Sequence, residues 1–131
     1  MKKVLFVCVH NSGRSQMAEA LFNYYAWDNA QAQSAGTRPA AHVDRNVVSA
    51  MNEIGIDVST QRPKILTKEM LDGADTVIAM GCSMDSVCPI TFTPAEDWAL
   101  QDPEGKSIEE VREIRDQIES KVKRLIADLR L

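Results

Sequence analysis

Long hydrophobic runs are missing from this 131-residue chain. No stretch approaches the roughly 20 apolar residues of a membrane span, so a protein that does not cross a membrane is expected. The apolar start Val4–Val7 is soon interrupted by His10, Asn11 and Arg14, unlike the apolar region of a secretory signal, and the chain reads as cytoplasmic. Positive charge is not in excess. Lys and Arg number 15 against 19 Asp and Glu, and a net charge of −4 argues against a general nucleic-acid binder. Cysteine is scarce and odd in number, with only Cys8, Cys82 and Cys88, which does not read as a disulfide framework. The 2 histidines, His10 and His42, do not pair with a cysteine at finger spacing. No four-ligand zinc pattern exists, and no metal is expected. Repeats, linkers and low-complexity tracts are absent too. The length favours one domain over 1–131 with a sizeable core. Oligomeric state is not legible, and a monomer is the default.

What is present alternates between strand and helix patterns. Lys2–Val7 reads as a short buried strand rich in Val, Leu and Phe. Ser15 to about Asp28 reads as a helix, with Met17, Ala18, Leu21, Phe22 and Tyr25 at three- and four-residue spacings. Gln31–Ala35 is a short, weak strand, followed by a loop at Gly36–Pro39. Asp44 can cap a helix running to Ile54, with Gly55 at its C-terminal turn. Ile56–Lys64 is irregular. A helical turn runs from Thr67 to Leu71, and Asp75–Met80 is a third strand. Gly81–Pro89 is a loop or short helix. A fourth strand lies within Thr91–Leu100, confined to an edge or split by Pro94. Gln101–Lys106 is a turn. Ser107–Glu110 is a capping box that opens a long amphipathic helix through Leu129. This order predicts an α/β fold of three layers, a four-stranded parallel sheet flanked by helices.

The stretch Val7-Cys8-Val9-His10-Asn11-Ser12-Gly13-Arg14-Ser15 joins the first strand to the first helix. Such a loop collects unpaired backbone N–H groups, and the helix dipole adds positive potential there. A tetrahedral oxyanion fits that environment, and Arg14 can grip two of its oxygens. A thiol at a helix N-terminus beside an arginine readily becomes a thiolate, so Cys8 is the candidate nucleophile. Residues 9–15 are the candidate oxyanion cradle. Ser12 and Ser15 can hold the thiolate or the loop, Gly13 allows a turn with positive φ, and Asn11 tolerates the left-handed region. A lone cysteine at a strand end is ordinarily a small buried hydrophobe. The strand before, the helix after and the Asn, Ser and Gly between favour the anion loop.

Cys82 follows the third strand, so it belongs at the same sheet edge as Cys8, where ligands bind in parallel sheets. Cys82 and Cys88 are either two free buried thiols or partners in thiol exchange with Cys8. An ideal helix would separate them by about 9 Å along its axis. A bond, which needs Cα atoms within roughly 7 Å, therefore implies a loop or an unwound helix. Asp102, before Pro103, is either an ordinary turn residue or a proton donor to a leaving oxygen.

Cys8-x5-Arg14-Ser15 with Asp102-Pro103 resembles the low-molecular-weight protein tyrosine phosphatase family, and specifically its thioredoxin-coupled arsenate reductase branch. The run Cys8–Ala20, Ser34-Ala35-Gly36-Thr37, Gly55-Ile56-Asp57, Gly81-Cys82 with Cys88, Trp98 and Asp102–Lys106 carry the likeness over nearly the whole chain. The resemblance implies that Cys8 attacks arsenate held by Arg14 and residues 9–15, with phosphate or sulfate as mimics. Asp102 protonates the departing oxygen. Cys82 then attacks Cys8 and arsenite leaves. Cys88 attacks Cys82, and thioredoxin or a similar thiol donor reduces the Cys82–Cys88 disulfide. Asn11 and Ser15 match positions that orient the loop and stabilise the thiolate. Some relatives bind potassium near the loop through an aspartate, where this chain has Lys64. Lys64 is expected to take the ion's place, and no cofactor is expected.

Two alternatives remain. A phosphatase acting through a Cys8 phosphocysteine would need only the loop and Asp102. Such enzymes often carry aromatic residues after Asp-Pro, whereas Glu104-Gly105-Lys106 stand here and favour a small inorganic anion. A redox- or anion-sensing module would leave Asp102 without a task.

Overall fold

The computed structural model describes residues 2–26, 28–80 and 96–129. Cys82, Cys88 and the expected loop around them lie outside the described residues, as does the first half of the expected fourth strand.

Strand β1 (Lys2–Cys8) is central because it is apolar on both faces. It pairs in parallel with β2 (Ala30–Gly36) on one side and β3 (Thr76–Ala79) on the other. β3 in turn pairs in parallel with β4 (Glu96–Asp97), giving the order β2-β1-β3-β4. Alternation along β1 divides the core. Val4, Phe6 and Cys8 face helices α1 (Arg14–Ala26), α2 (Arg45–Asn52) and α4 (Ile108–Asp128). Leu5 and Val7 face the opposite way, toward Leu66 and the short helix α3 (Lys68–Gly73). The three-layer, four-stranded parallel sheet is therefore as expected.

Phe6 sits at the centre of the larger core, fully buried between Phe22 of α1 and Trp98 beyond β4. Its ring lies 5.5 Å from that of Trp98, within the usual range for aromatic pairs. Removing the ring would cost about 3–5 kcal/mol. β2 is weak by propensity, with alanines and glutamines in place of β-branched residues. An amide from α1 supports it: Asn23 accepts from the Ala32 N–H at 2.8 Å and donates to the Ala32 carbonyl at 3.2 Å. The open edge of the sheet is thus partly satisfied.

The helix ends follow local chemistry. Asp44 caps α2 by accepting from the Asn46 N–H, and Thr67 caps α3 through the Met70 N–H. α2 ends regularly at Asn52, earlier than the expected Ile54, yet Gly55 completes the turn as anticipated. Gly55 has φ +81°, the Ile56 N–H reaches Met51 O, and the Gly55 N–H reaches Asn52 O, each at 3.0 Å. Ser107 caps α4 by accepting from the Glu110 N–H, and its hydroxyl donates to the Glu110 carboxylate. Val111, Ile114, Ile118, Val122 and Leu125 then form the buried stripe that seats α4 on α1 and α2. Of the fourth strand expected within Thr91–Leu100, the described part is Glu96–Asp97, continued by the Trp98 N–H bonded to Ala79 O at 2.7 Å.

Candidate active site

β1 ends where the chain turns to β2 on one side and to β3 on the other, so residues 9–13 lie at the crevice where parallel sheets bind ligands. The loop's carbonyls are turned outward. Cys8 O accepts from Thr37 N, Val9 O from Arg38 N, His10 O from Ala40 N and Ser12 O from Asp44 N, all at 2.8–3.1 Å. Because a trans peptide sets N–H opposite C=O, those bonds turn the N–H groups of Val9, His10, Asn11 and Gly13 inward. The Asn11 N–H accordingly meets the Cys8 sulfur at 3.2 Å. Cys8 is a buried free cysteine, and its sulfur lies 2.8 Å from Ser15 Oγ. Inward N–H groups and the first turn of α1, with the Cys8 sulfur beneath them, are an arrangement that can receive an anion.

One expectation about the loop is corrected, for Gly13. Positive φ falls on Asn11, at 51°, and not on Gly13. Asn11 tolerates the left-handed region because its amide is tied on both ends. Gly13 is needed for clearance instead: a Cβ there would lie 2.4 Å from Cγ of Pro103. Pro103 thereby presses directly on the loop and brings Asp102 with it. Of the two serines, Ser15 contacts the sulfur, while Ser12 contributes its carbonyl.

Arg14 is buried on the first turn of α1, with Nη1 donating to Leu100 O at 3.0 Å and Nη2 3.8 Å from Asp102 Oδ2. Asp102 closes its own turn by accepting from the Glu104 N–H at 3.0 Å. The nucleophile loop, the arginine and the candidate acid therefore meet, although they come from opposite ends of the chain. His10 lies at the rim, its Nε2 3.9 Å from Glu104 Oε2. His10, Asp102 and Glu104 bring potential ligand atoms within 4.8 Å of one another. The Arg14 guanidinium beside Asp102 opposes a further positive charge there.

A buried polar network behind the loop was not anticipated. Asn11 Nδ2 donates to Ser15 Oγ at 2.6 Å, and Asn11 Oδ1 accepts from the Lys64 N–H at 2.9 Å and Gln16 Nε2 at 3.1 Å. Gln61 Nε2 donates to Gln16 Oε1 and, at 3.0 Å, to Glu19 Oε2. Ser34 Oγ donates to Glu19 Oε1, and Lys64 Nζ lies 3.6 Å from that oxygen. One signal was available: Gln16 and Glu19 stand three residues apart on a helix whose other faces are apolar, which marks a polar stripe inside a core.

Comparison with known proteins agrees with this geometry. The family model described as low molecular weight phosphotyrosine protein phosphatase matches residues 3–131. The chain belongs to this family. An arsenate reductase of Bacillus cereus is 40% identical over 125 residues, covering 94% of this chain and 92% of the relative. A solved arsenate reductase in the phosphate binding state is 36% identical with a TM-score of 0.83, covering 98% of each chain. A thioredoxin-dependent arsenate reductase of Corynebacterium glutamicum is 35% identical with a TM-score of 0.81. It covers 99% of this chain, which spans 62% of that protein's length.

Proposed function

We propose that this chain reduces arsenate to arsenite through a relay of Cys8, Cys82 and Cys88. The observation that carries the reading is the Cys8 sulfur, held by the Asn11 N–H and the Ser15 hydroxyl beneath a loop whose carbonyls point away. Residues 9–15 bind the anion, with phosphate or sulfate as mimics, and Arg14 neutralises its charge. The Cys8 thiolate displaces one arsenate oxygen and forms an S–As bond. Asp102, 3.8 Å from Arg14, protonates the departing oxygen. The Cys82 thiolate then attacks the Cys8 sulfur. The S–As bonding pair passes to arsenic, which leaves as arsenite, and a Cys8–Cys82 disulfide remains. Cys88 attacks Cys82 and frees Cys8. A dithiol donor of the thioredoxin type reduces the Cys82–Cys88 disulfide and is itself oxidised.

Chain connectivity supports the relay. The Met80 N–H bonds Val7 O at 2.7 Å, and Cys82 follows two residues later, while Cys8 follows Val7 directly.

The relatives named as arsenate reductases favour this reading over phosphoester hydrolysis, as does Glu104 at the rim, where a phosphotyrosine ring would need an apolar wall. Lys64 takes a cation's place beside Glu19, supported by their 3.6 Å approach, and potassium and other cofactors are not required. The protein acts as a cytoplasmic monomer in this reading; among the described residues no helix is long and apolar enough to cross a membrane.

The test is arsenate-dependent NADPH oxidation coupled through thioredoxin and its reductase. Turnover by the parent and none by Cys8→Ser is expected. Aryl phosphate hydrolysis without arsenite formation would overturn the reading in favour of the phosphatase.

A further inference from the structure

Gln16 is fully buried, and no step of the reaction above uses it. A buried amide is costly unless its hydrogen bonds are made, so a side chain kept only to fill volume would be apolar. Nε2 of Gln16 donates to Arg62 O and to Asn11 Oδ1, both at 3.1 Å, and Oε1 accepts from Gln61. The Arg62 carbonyl can only accept, which determines the end of the Gln16 amide that faces it. The Lys64 backbone N–H can only donate, and it meets Asn11 Oδ1 at 2.9 Å. These two backbone groups impose one polarity on the chain of contacts. Asn11 must present Nδ2 to Ser15 Oγ, at 2.6 Å. Ser15 accepts there and keeps its hydroxyl hydrogen for the Cys8 sulfur 2.8 Å away. A thiolate has no hydrogen to offer, so for the anionic sulfur this direction alone is consistent with every contact.

We propose that Gln16 is a positioning residue, which transmits the polarity of the Arg62 and Lys64 backbone to the donors that hold the Cys8 thiolate. The inference rests on Cys8 being the nucleophile, and deepens that reading. Gln16 acts through Asn11 and Ser15 and does not touch the anion. Without its donor, Asn11 Oδ1 keeps one partner in place of two, and the amide can turn. When it turns, Oδ1 faces Ser15 and draws its hydroxyl hydrogen away from the sulfur.

The test is the rate of Cys8 alkylation by iodoacetamide from about pH 5 to about pH 10, with the thermal midpoint taken on the same samples. A Cys82→Ser/Cys88→Ser background confines the reaction to Cys8. Gln16→Met preserves volume and removes both donors. Its alkylation at neutral pH should fall about fivefold, the factor for one ordinary hydrogen bond, with the rate at high pH unchanged. Gln61→Met, at a half-buried position, removes the donor to Gln16 Oε1 together with its bond to Glu19, leaves both Gln16 donors in place, and should shift the profile the same way by about twofold. It stands in if Gln16→Met fails to fold. A profile superimposable on the parent's, with only the thermal midpoint lowered, would overturn the proposal and leave the nucleophile reading intact. A parent in which Cys8 is inert at neutral pH would overturn both.

Discussion

Asn11 meets the Cys8 sulfur with its own backbone N–H, at 3.2 Å, and turns the loop at that point with a φ of 51°. The same residue donates its side-chain amide to Ser15, the second group at the sulfur. Asn11→Gly separates the two contributions, since glycine keeps the left-handed backbone and loses the amide. Losing the three side-chain bonds at about 1 kcal/mol each predicts a fall in kcat/KM for arsenate of up to about 150-fold. Asn11→Ala should fall further, because alanine is strained at that φ. Steady-state kinetics of both variants is the check, and equal losses would mean that the backbone geometry contributes nothing.

Asp102 and Gly13 are linked through Pro103. Asp102→Asn removes the proton for the departing oxygen and should lower kcat by about 10²–10⁴-fold while phosphate still competes with arsenate. Gly13→Ala drives a methyl group against the Pro103 ring, displaces the turn that holds Asp102, and should reproduce part of that kcat loss. A Gly13→Ala enzyme with unaltered kcat would show that the contact does not govern the acid.

Lys64 and Glu19 yield a prediction about ions. With an ammonium 3.6 Å from the Glu19 carboxylate, turnover should be the same in potassium as in sodium at equal ionic strength. Lys64→Ala leaves Glu19 without that partner, and should lower the thermal midpoint slightly and introduce a preference for potassium. Strong potassium activation of the parent would contradict the substitution of lysine for the ion.

Glu53 at the end of α2 accepts from Arg112 and Arg115 of α4. The Arg112 hydrogen bond, the largest cause, holds the Glu53 carboxyl below its ordinary value. A carboxylate with a depressed folded value adds stability above its unfolded value and loses it as pH falls through the folded one. Glu53→Gln should therefore have a lower thermal midpoint than the parent near neutrality, and the gap should close as pH falls below about 4. The pair is exposed, so the gap should be small. A gap independent of pH would assign the effect to packing.

Local signals in the chain proved sound where they rested on short-range chemistry. The Asp44 and Ser107 caps, the Gly55 turn and the α4 stripe each depend on residues within a few positions of one another. The strand–loop–helix segment that carries the candidate anion loop was legible because a strand, a turn-forming run and a helix meet within a single stretch. The Gln16–Gln61 contact was not, because it joins residues 45 apart and a buried glutamine has no periodic signature. Gly13 was misjudged for a related reason: conformational freedom is a local property, whereas clearance for Pro103 belongs to the tertiary fold. β2 was legible only in outline, since part of its support comes from Asn23 on α1 and its own residues are weak strand formers.

The three-thiol relay is tested most directly by a single turnover without any external thiol donor, comparing the parent with Cys82→Ser. One equivalent of arsenate should give arsenite from the parent, with the loss of two free thiols and the appearance of an intramolecular disulfide. Cys82→Ser should bind the anion and release no arsenite. Arsenite released by Cys82→Ser at the parent's rate would contradict the relay.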